Sequence, residues 1–197
     1  MKKPTITLIL LSLIIPLLSF SQDSNEETKT PLKPALLIID IQNAYLEWIP
    51  EHDKEIAFYM INTCIELFRS KGYPVIRVYH YSEKFGPEKG TEGFEFPESV
   101  RVVPEDPMMI KTYPDAFNKT ELNQLIKETG SNTLFLTGLS AVGCVLATWT
   151  GAQNHDYDAF MVKDAIMSHN SDYTDNVEEM FDAVSYDVVK LIVENAD

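Results

Sequence analysis

The chain has 197 residues, 45% hydrophobic and 23% charged, which suits one globular domain with an ample core. Its formal net charge of −14 argues against nucleic acid or an anionic membrane surface as a partner. Two cysteines, Cys64 and Cys144, are too few for a disulfide-stapled scaffold.

The first segment stands apart from the rest. Lys2-Lys3, the apolar run Ile6–Phe20 and the small residues around Ser21-Gln22 read as a secretory signal peptide over residues 1–22. An uncleaved anchor fits less well, because the run is short and Pro16 interrupts it. The protein is therefore expected to be exported, periplasmic or secreted, with no membrane association after cleavage. Residues 23–33 are polar and proline-bounded and read as a flexible linker; residues 34–197 form the domain.

Ala35–Ile39 is a continuous apolar run ending at Asp40, the pattern of a strand buried on both faces. Glu55–Arg69 has helical spacing, with Gly72 ending the helix and Val75–His80 forming the next strand. Tyr81–Asp106 has no periodic element and reads as a functional loop or lid. Met108–Lys111 is a short strand and Thr120–Glu128 a helix. Thr133–Leu136 is another buried strand, broken at Gly138 and followed by small residues up to Cys144, where a buried helix begins. Asp158–Lys163 is read as a strand, Thr174–Val184 as a helix capped by Thr174, and Val188–Val193 as a last strand. Strands alternating with helices predict a three-layer α/β/α domain around a mostly parallel, six-stranded sheet of Rossmann type.

In such folds ligands bind beyond the carboxyl ends of the strands. Those ends carry Asp40, His80, Lys111, the Ser140–Cys144 turn and Asp164. A cysteine at a strand–turn–helix junction can be a nucleophile, because the first-turn N–H groups and the helix dipole favour thiolate. It can equally be a small buried hydrophobe. Asp40 offers a base and Lys111 a stabilising charge, while the Ser140 and Cys144 backbone N–H groups could form an oxyanion hole. Together these describe acyl transfer through a thioester. No Gly-rich phosphate loop follows the first strand, so a dinucleotide cofactor is not expected.

These residues resemble the isochorismatase-like cysteine hydrolases, the group that includes nicotinamidases and carbamoylsarcosine amidases. The resemblance is carried by DIQN (Asp40–Asn43), GTEGFEF (Gly90–Phe96), IKTYPDAF (Ile110–Phe117), LFLTGLSAVGCVLAT (Leu134–Thr148) and DYDAFMVKDA (Asp156–Ala165). It implies a catalytic triad of Asp40, Lys111 and Cys144, a cis peptide at Leu139–Ser140, Gln42 bordering the site, a small-molecule substrate and a homo-oligomer. The chain departs from the family pattern at Ala141-Val142, where many members have Thr followed by Asp or Asn. It also lacks the Asp-x-His metal cluster of nicotinamidases. His80 and Glu83 alone make a poor ligand set, so neither a metal nor another cofactor is expected. Tyr45, Trp48, Tyr113, Phe117 and Trp149 are candidates to line a substrate pocket, though core or interface packing accounts for any one of them more simply. The function expected is an exported hydrolase of small amides; the alternative is an exported binding or scaffold protein that keeps the fold.

Overall fold

A computed structural model describes residues 31–196. The signal-peptide reading of 1–22 and the linker reading of 23–30 lie outside the described residues. Asn132 ties down the three residues ahead of the first strand. Its side chain accepts from Lys33 N–H at 2.8 Å and donates to Pro31 O at 2.9 Å.

The chain order is β1 (Pro34–Ile39), α1 (Asn43–Leu46), α2 (Glu51–Ser70), β2 (Val75–His80), β3 (Met108–Lys111), α3 (Leu122–Thr129) and β4 (Thr133–Leu139). A wide turn (Ala141–Val145) then leads to α4 (Leu146–Asn154), β5 (Asp158–Met167), α5 (Ser171–Met180) and α6 (Tyr186–Asn195). The five strands pair in the order β3-β2-β1-β4-β5, all parallel. Alternation along β1 separates the layers. Leu36 and Ile38 pack with α2 and α6 residues such as Ile61, Ile65 and Val189. Ala35, Leu37 and Ile39 pack on the other face with Ile126, Val145, Ala152 and Val177.

The sheet has five strands rather than six. The segment read as a last strand, Val188–Val193, is helix α6. Its buried residues Val189 and Val193 are four apart, while Leu191 is 64% exposed, which is a 3.6-residue period and not alternation. Helix α5 begins at Ser171 and is capped by Asn170, whose side chain accepts from Asp172 N–H, rather than by Thr174. Strand β5 runs past Lys163 to Met167 through a bulge: Leu136 pairs with Met161 and Gly138 already with Ile166.

The order of strands reverses at β1, whose neighbours are β2 and β4, so a crevice forms beyond the carboxyl ends of β1 and β4. Gly138 permits the close approach there. It sits at φ 109°, and a Cβ on it would lie 2.1 Å from Ile39 O.

The segment between β2 and β3 has no helix or strand and is strapped to α2. Arg69 donates to Arg101 O at 2.7 Å and pairs with Asp106 at 2.5 Å. Asn62 donates to Ser99 O and accepts from Arg101 N–H, both at 2.8 Å. Tyr79 stacks on Phe94 and Phe96 at centroid distances of 5.3 and 4.3 Å. Among the described residues no helix is long and apolar enough to cross a membrane.

Candidate active site

Asp40 follows β1 in the left-handed region, φ 53°, and is 2% exposed. Lys111 ends β3 with no exposure at all, and its Nζ donates to Asp40 Oδ2 at 2.6 Å. Burying an ion pair is costly unless each charge is compensated, so a buried pair of this kind marks a site where charge is needed. Asp40 Oδ1 has no hydrogen-bond partner among the described residues. One ligand atom each from Asp40, His80 and Cys144 lie within 4.8 Å of one another. Four groups expected at strand ends (a carboxylate, an imidazole, an ammonium and a thiol) therefore converge.

Their titration follows from burial. The Asp40 carboxyl is raised above its ordinary value by loss of solvent, with Lys111 pulling it back. Burial pushes the Cys144 thiol up to about 12, the Asp40 charge adding to the effect and Lys111 opposing it. The resting cysteine is a thiol beside a carboxylate of enhanced proton affinity. Burial and the Lys111 charge hold His80 down at about 4.

The turn that carries Cys144 is shaped by its small residues. The Leu139–Ser140 peptide is cis. Gly143 lies at φ −124°, ψ −108°, and the Gly143 and Val145 N–H groups both donate to Ser140 O, at 2.9 and 3.2 Å. Ala141 is fully buried, whereas Val142 is 43% exposed at the surface of the turn.

Gln42 borders the cluster as expected, as a buried clamp: its side chain accepts from His80 N–H at 2.6 Å and donates to His80 O at 3.1 Å. Tyr45 lies beside it, its ring 6.3 Å from that of His80 and its hydroxyl buried without a hydrogen-bond partner. Burial raises the Tyr45 phenol to about 12, with contributions from the Asp40 and Cys144 charges. Trp48 is 69% exposed.

Phe117 and Trp149 are packed in the core instead. Phe117 stacks on His155 and Tyr157, beyond the far end of α4 from Cys144. Trp149 donates to Ala159 O at 3.0 Å and packs edge-on against Phe181. Tyr113 lies on the exposed segment after β3, covered by the Lys119 ammonium. Asp164 is not at a strand end. It sits in the β5 bulge at φ 62° and lines a separate acidic cleft with Asp53, Asp175 and Glu178. The residue after β5 is Ser168, fully buried, with its Oγ 3.2 Å from Ser140 Oγ. Extending β5 along the apolar run Ala165–Met167 would have found it.

The isochorismatase domain model matches residues 34–189. An isochorismatase family protein of Bacillus subtilis, YrdC, is 33% identical over 139 residues, covering 68% of this chain and 73% of its own. The N-carbamoylsarcosine amidase of Thermoplasma acidophilum superposes with a TM-score of 0.67 at 26% identity, over 78% of this chain and 95% of that one. The pyrazinamidase of Pyrococcus horikoshii, solved in complex with zinc, has the same fold, with a TM-score of 0.68 at 20% identity over 78% and 99% of the two chains. The chain belongs to the isochorismatase family.

Does the cluster suit a metal ion? Asp40, His80 and Cys144 offer an oxygen, a nitrogen and a sulfur at compatible separations. But the Lys111 ammonium already donates to Asp40 and lies 3.3 Å from His80 Nδ1. A divalent cation on these atoms would face that buried positive charge. Glu83, the other ligand considered near His80, is exposed. The residues present do not fit a resident metal.

Proposed function

We propose that the protein is an exported cysteine hydrolase that cleaves the C–N bond of a small amide through a thioester on Cys144. The observation that carries this reading is the convergence of a thiol, a carboxylate and a fully buried ammonium at three strand ends. Membership of a hydrolase family with amidase relatives supports it. Export rests on the basic and apolar residues of the first 22 positions. Assembly as a homo-oligomer belongs to the same proposal.

Asp40 takes the proton from Sγ as Sγ attacks the substrate carbonyl carbon. The C=O π electrons move to oxygen, and the Ser140 and Cys144 backbone N–H groups receive the oxyanion. The neighbouring Gly143 and Val145 amides are already committed to Ser140 O. Collapse of the tetrahedral adduct breaks the C–N bond, and Asp40 gives its proton to the departing amine. Water then attacks the thioester, with Asp40 removing its proton. Collapse releases the carboxylic acid, and the proton returns to Sγ. Lys111 keeps Asp40 ionised between these transfers and stabilises negative charge as the thiolate forms. Val142, 43% exposed, gives the turn an apolar surface.

Turnover of a panel of small amides by the purified mature chain tests the reading. The wild type should release amine from at least one member, and Cys144→Ala should release none while keeping its circular dichroism spectrum. Full activity in that variant would sink the mechanism.

A further inference from the structure

His80 is not among the three residues assigned a chemical role above, yet it touches the group on which that chemistry depends. The Lys111 ammonium has three N–H donors and no route to solvent. One donor is on Asp40 Oδ2, and His80 Nδ1 lies 3.3 Å from Nζ. An ammonium cannot accept, so this contact requires Nδ1 to be the bare nitrogen and places the ring proton on Nε2. Burial and the Lys111 charge, which hold the ring near 4, keep it in that neutral form at neutral pH. The backbone that carries the ring is fixed in turn. Gln42, fully buried at the end of β1, bonds both the N–H and the C=O of His80.

We propose that His80 is a positioning residue for Lys111: its imidazole Nδ1 accepts one ammonium N–H and so divides the lysine charge between itself and the Asp40 carboxylate. Without that acceptor the ammonium would have only the carboxylate and the Cys144 sulfur to satisfy its three donors. The Asp40–Lys111 pair would tighten, and the carboxylate would become a weaker base toward the Cys144 thiol. A buried N–H would also lose its partner. The chain of contacts runs from Gln42 through the His80 backbone and ring to Lys111 and Asp40, joining the ends of β1, β2 and β3 into one unit.

The inference rests on the reading of Asp40, Lys111 and Cys144 as a working set, so its test includes a measurement that needs no substrate. Two variants are compared with wild type. His80→Phe keeps a ring but has no acceptor, whereas His80→Asn places an amide oxygen near the Nδ1 position. For each, kcat and KM are measured on the best amide of the panel, and the rate of Cys144 alkylation by iodoacetamide is followed by intact mass. His80→Phe should lower kcat by about 10- to 100-fold, the range of a hydrogen bond to a charged group, with KM changed by less than about threefold. Alkylation should slow in parallel, and His80→Asn should recover most of both rates. If His80→Phe does not fold, His80→Leu takes its place.

The proposal is overturned if the variant without an acceptor reacts within twofold of wild type. It is also overturned if His80→Asn is as slow as that variant, or if the losses only follow the folded fraction seen by circular dichroism. Should no amide be turned over by wild type, the proposed function fails on its own, and the alkylation rates still decide the role of His80.

Discussion

Two places in this molecule each gather four ionisable side chains. At the strand ends Asp40, His80, Lys111 and Cys144 meet; beside α5, Asp53, Asp164, Asp175 and Glu178 line a cleft of about 80 Å³. None of the strand-end groups lines that cleft. Its four groups are all carboxylates, and two of them accept from the protein itself: Ser171 Oγ donates to Asp53 at 2.7 Å, and Asp164 N–H donates to Glu178 at 2.8 Å. The strand-end cluster mixes an ammonium, a carboxylate, an imidazole and a thiol around a buried ion pair, with one carboxylate oxygen unpartnered among the described residues. Concavity and charge alone do not make a site for covalent chemistry. Complementary groups held apart from water do.

That contrast can be broken by substitution. The largest effect is expected at Asp40, the proposed base: Asp40→Asn should lower amide turnover by about 10³-fold or more, the loss expected when one member of the proposed set is removed. Turnover by Glu178→Gln, measured in the same assay, should stay within about twofold of wild type, because the cleft takes no part. Equal losses in the two variants would erase the distinction.

The next effect concerns stability. Lys111→Met leaves the Asp40 carboxylate buried without its cation and should cost about 3–5 kcal/mol in urea unfolding. Asp40→Asn combined with Lys111→Met should recover a large part of that loss, because a neutral amide and a thioether replace a broken ion pair. In the acidic cleft Asp164 and Glu178 carry like charges, so any coupling between them should have the opposite sign.

A third, smaller effect depends on pH. The His80 ring in the folded protein takes its proton only near 4, against an ordinary value of 6.5, so the unfolded chain binds the proton first. The stability this contributes is complete above about 6.5 and is lost as pH falls toward 4. Asp40 works in the opposite sense, since its raised value lets the folded chain take a proton more readily. The difference between wild type and His80→Asn isolates the histidine. Thermal melts of the two should therefore draw apart on the acid side, with wild type losing more. Parallel pH dependences would contradict the assignment.

The smallest effect separates the cleft by itself. Burial raises the Glu178 carboxyl, so its charge is held at some cost in stability. Glu178→Gln should leave the melting temperature unchanged or slightly raised near neutral pH, and should narrow that advantage as pH falls and the wild-type carboxyl takes up its proton.

Much of the site was readable from the chain because its main groups end or follow segments whose pattern marks them as strands. Ala35–Ile39 points to Asp40, Val75–His80 to His80 itself, and Thr133–Leu139 to the Ser140–Cys144 turn. What stayed hidden depends on backbone irregularity or on distance along a helix. The β5 bulge puts Lys163-Asp164 in mid-strand, which makes the strand look finished and conceals Ser168. The run VVKLIV in α6 is too short for its period to separate helix from strand, and only its packing against α2 decides. Phe117 and Trp149 belong to segments that start at the site, but Trp149 packs from α4 against Phe181 and Phe117 is carried to the far end of that helix. The contact between His80 and Lys111 spans 31 positions and needs β2 and β3 to be in register, His80 opposite Lys111, which no local pattern specifies.

The central claim is that Cys144 carries the substrate's acyl group. Acid-quenched intact-protein mass spectrometry during turnover of an active amide tests it most directly. The account predicts an added mass equal to the substrate less its amine, located on Cys144 and missing from Cys144→Ala. Steady turnover with no adduct on that residue, in a preparation where Cys144→Ala remains active, would contradict it.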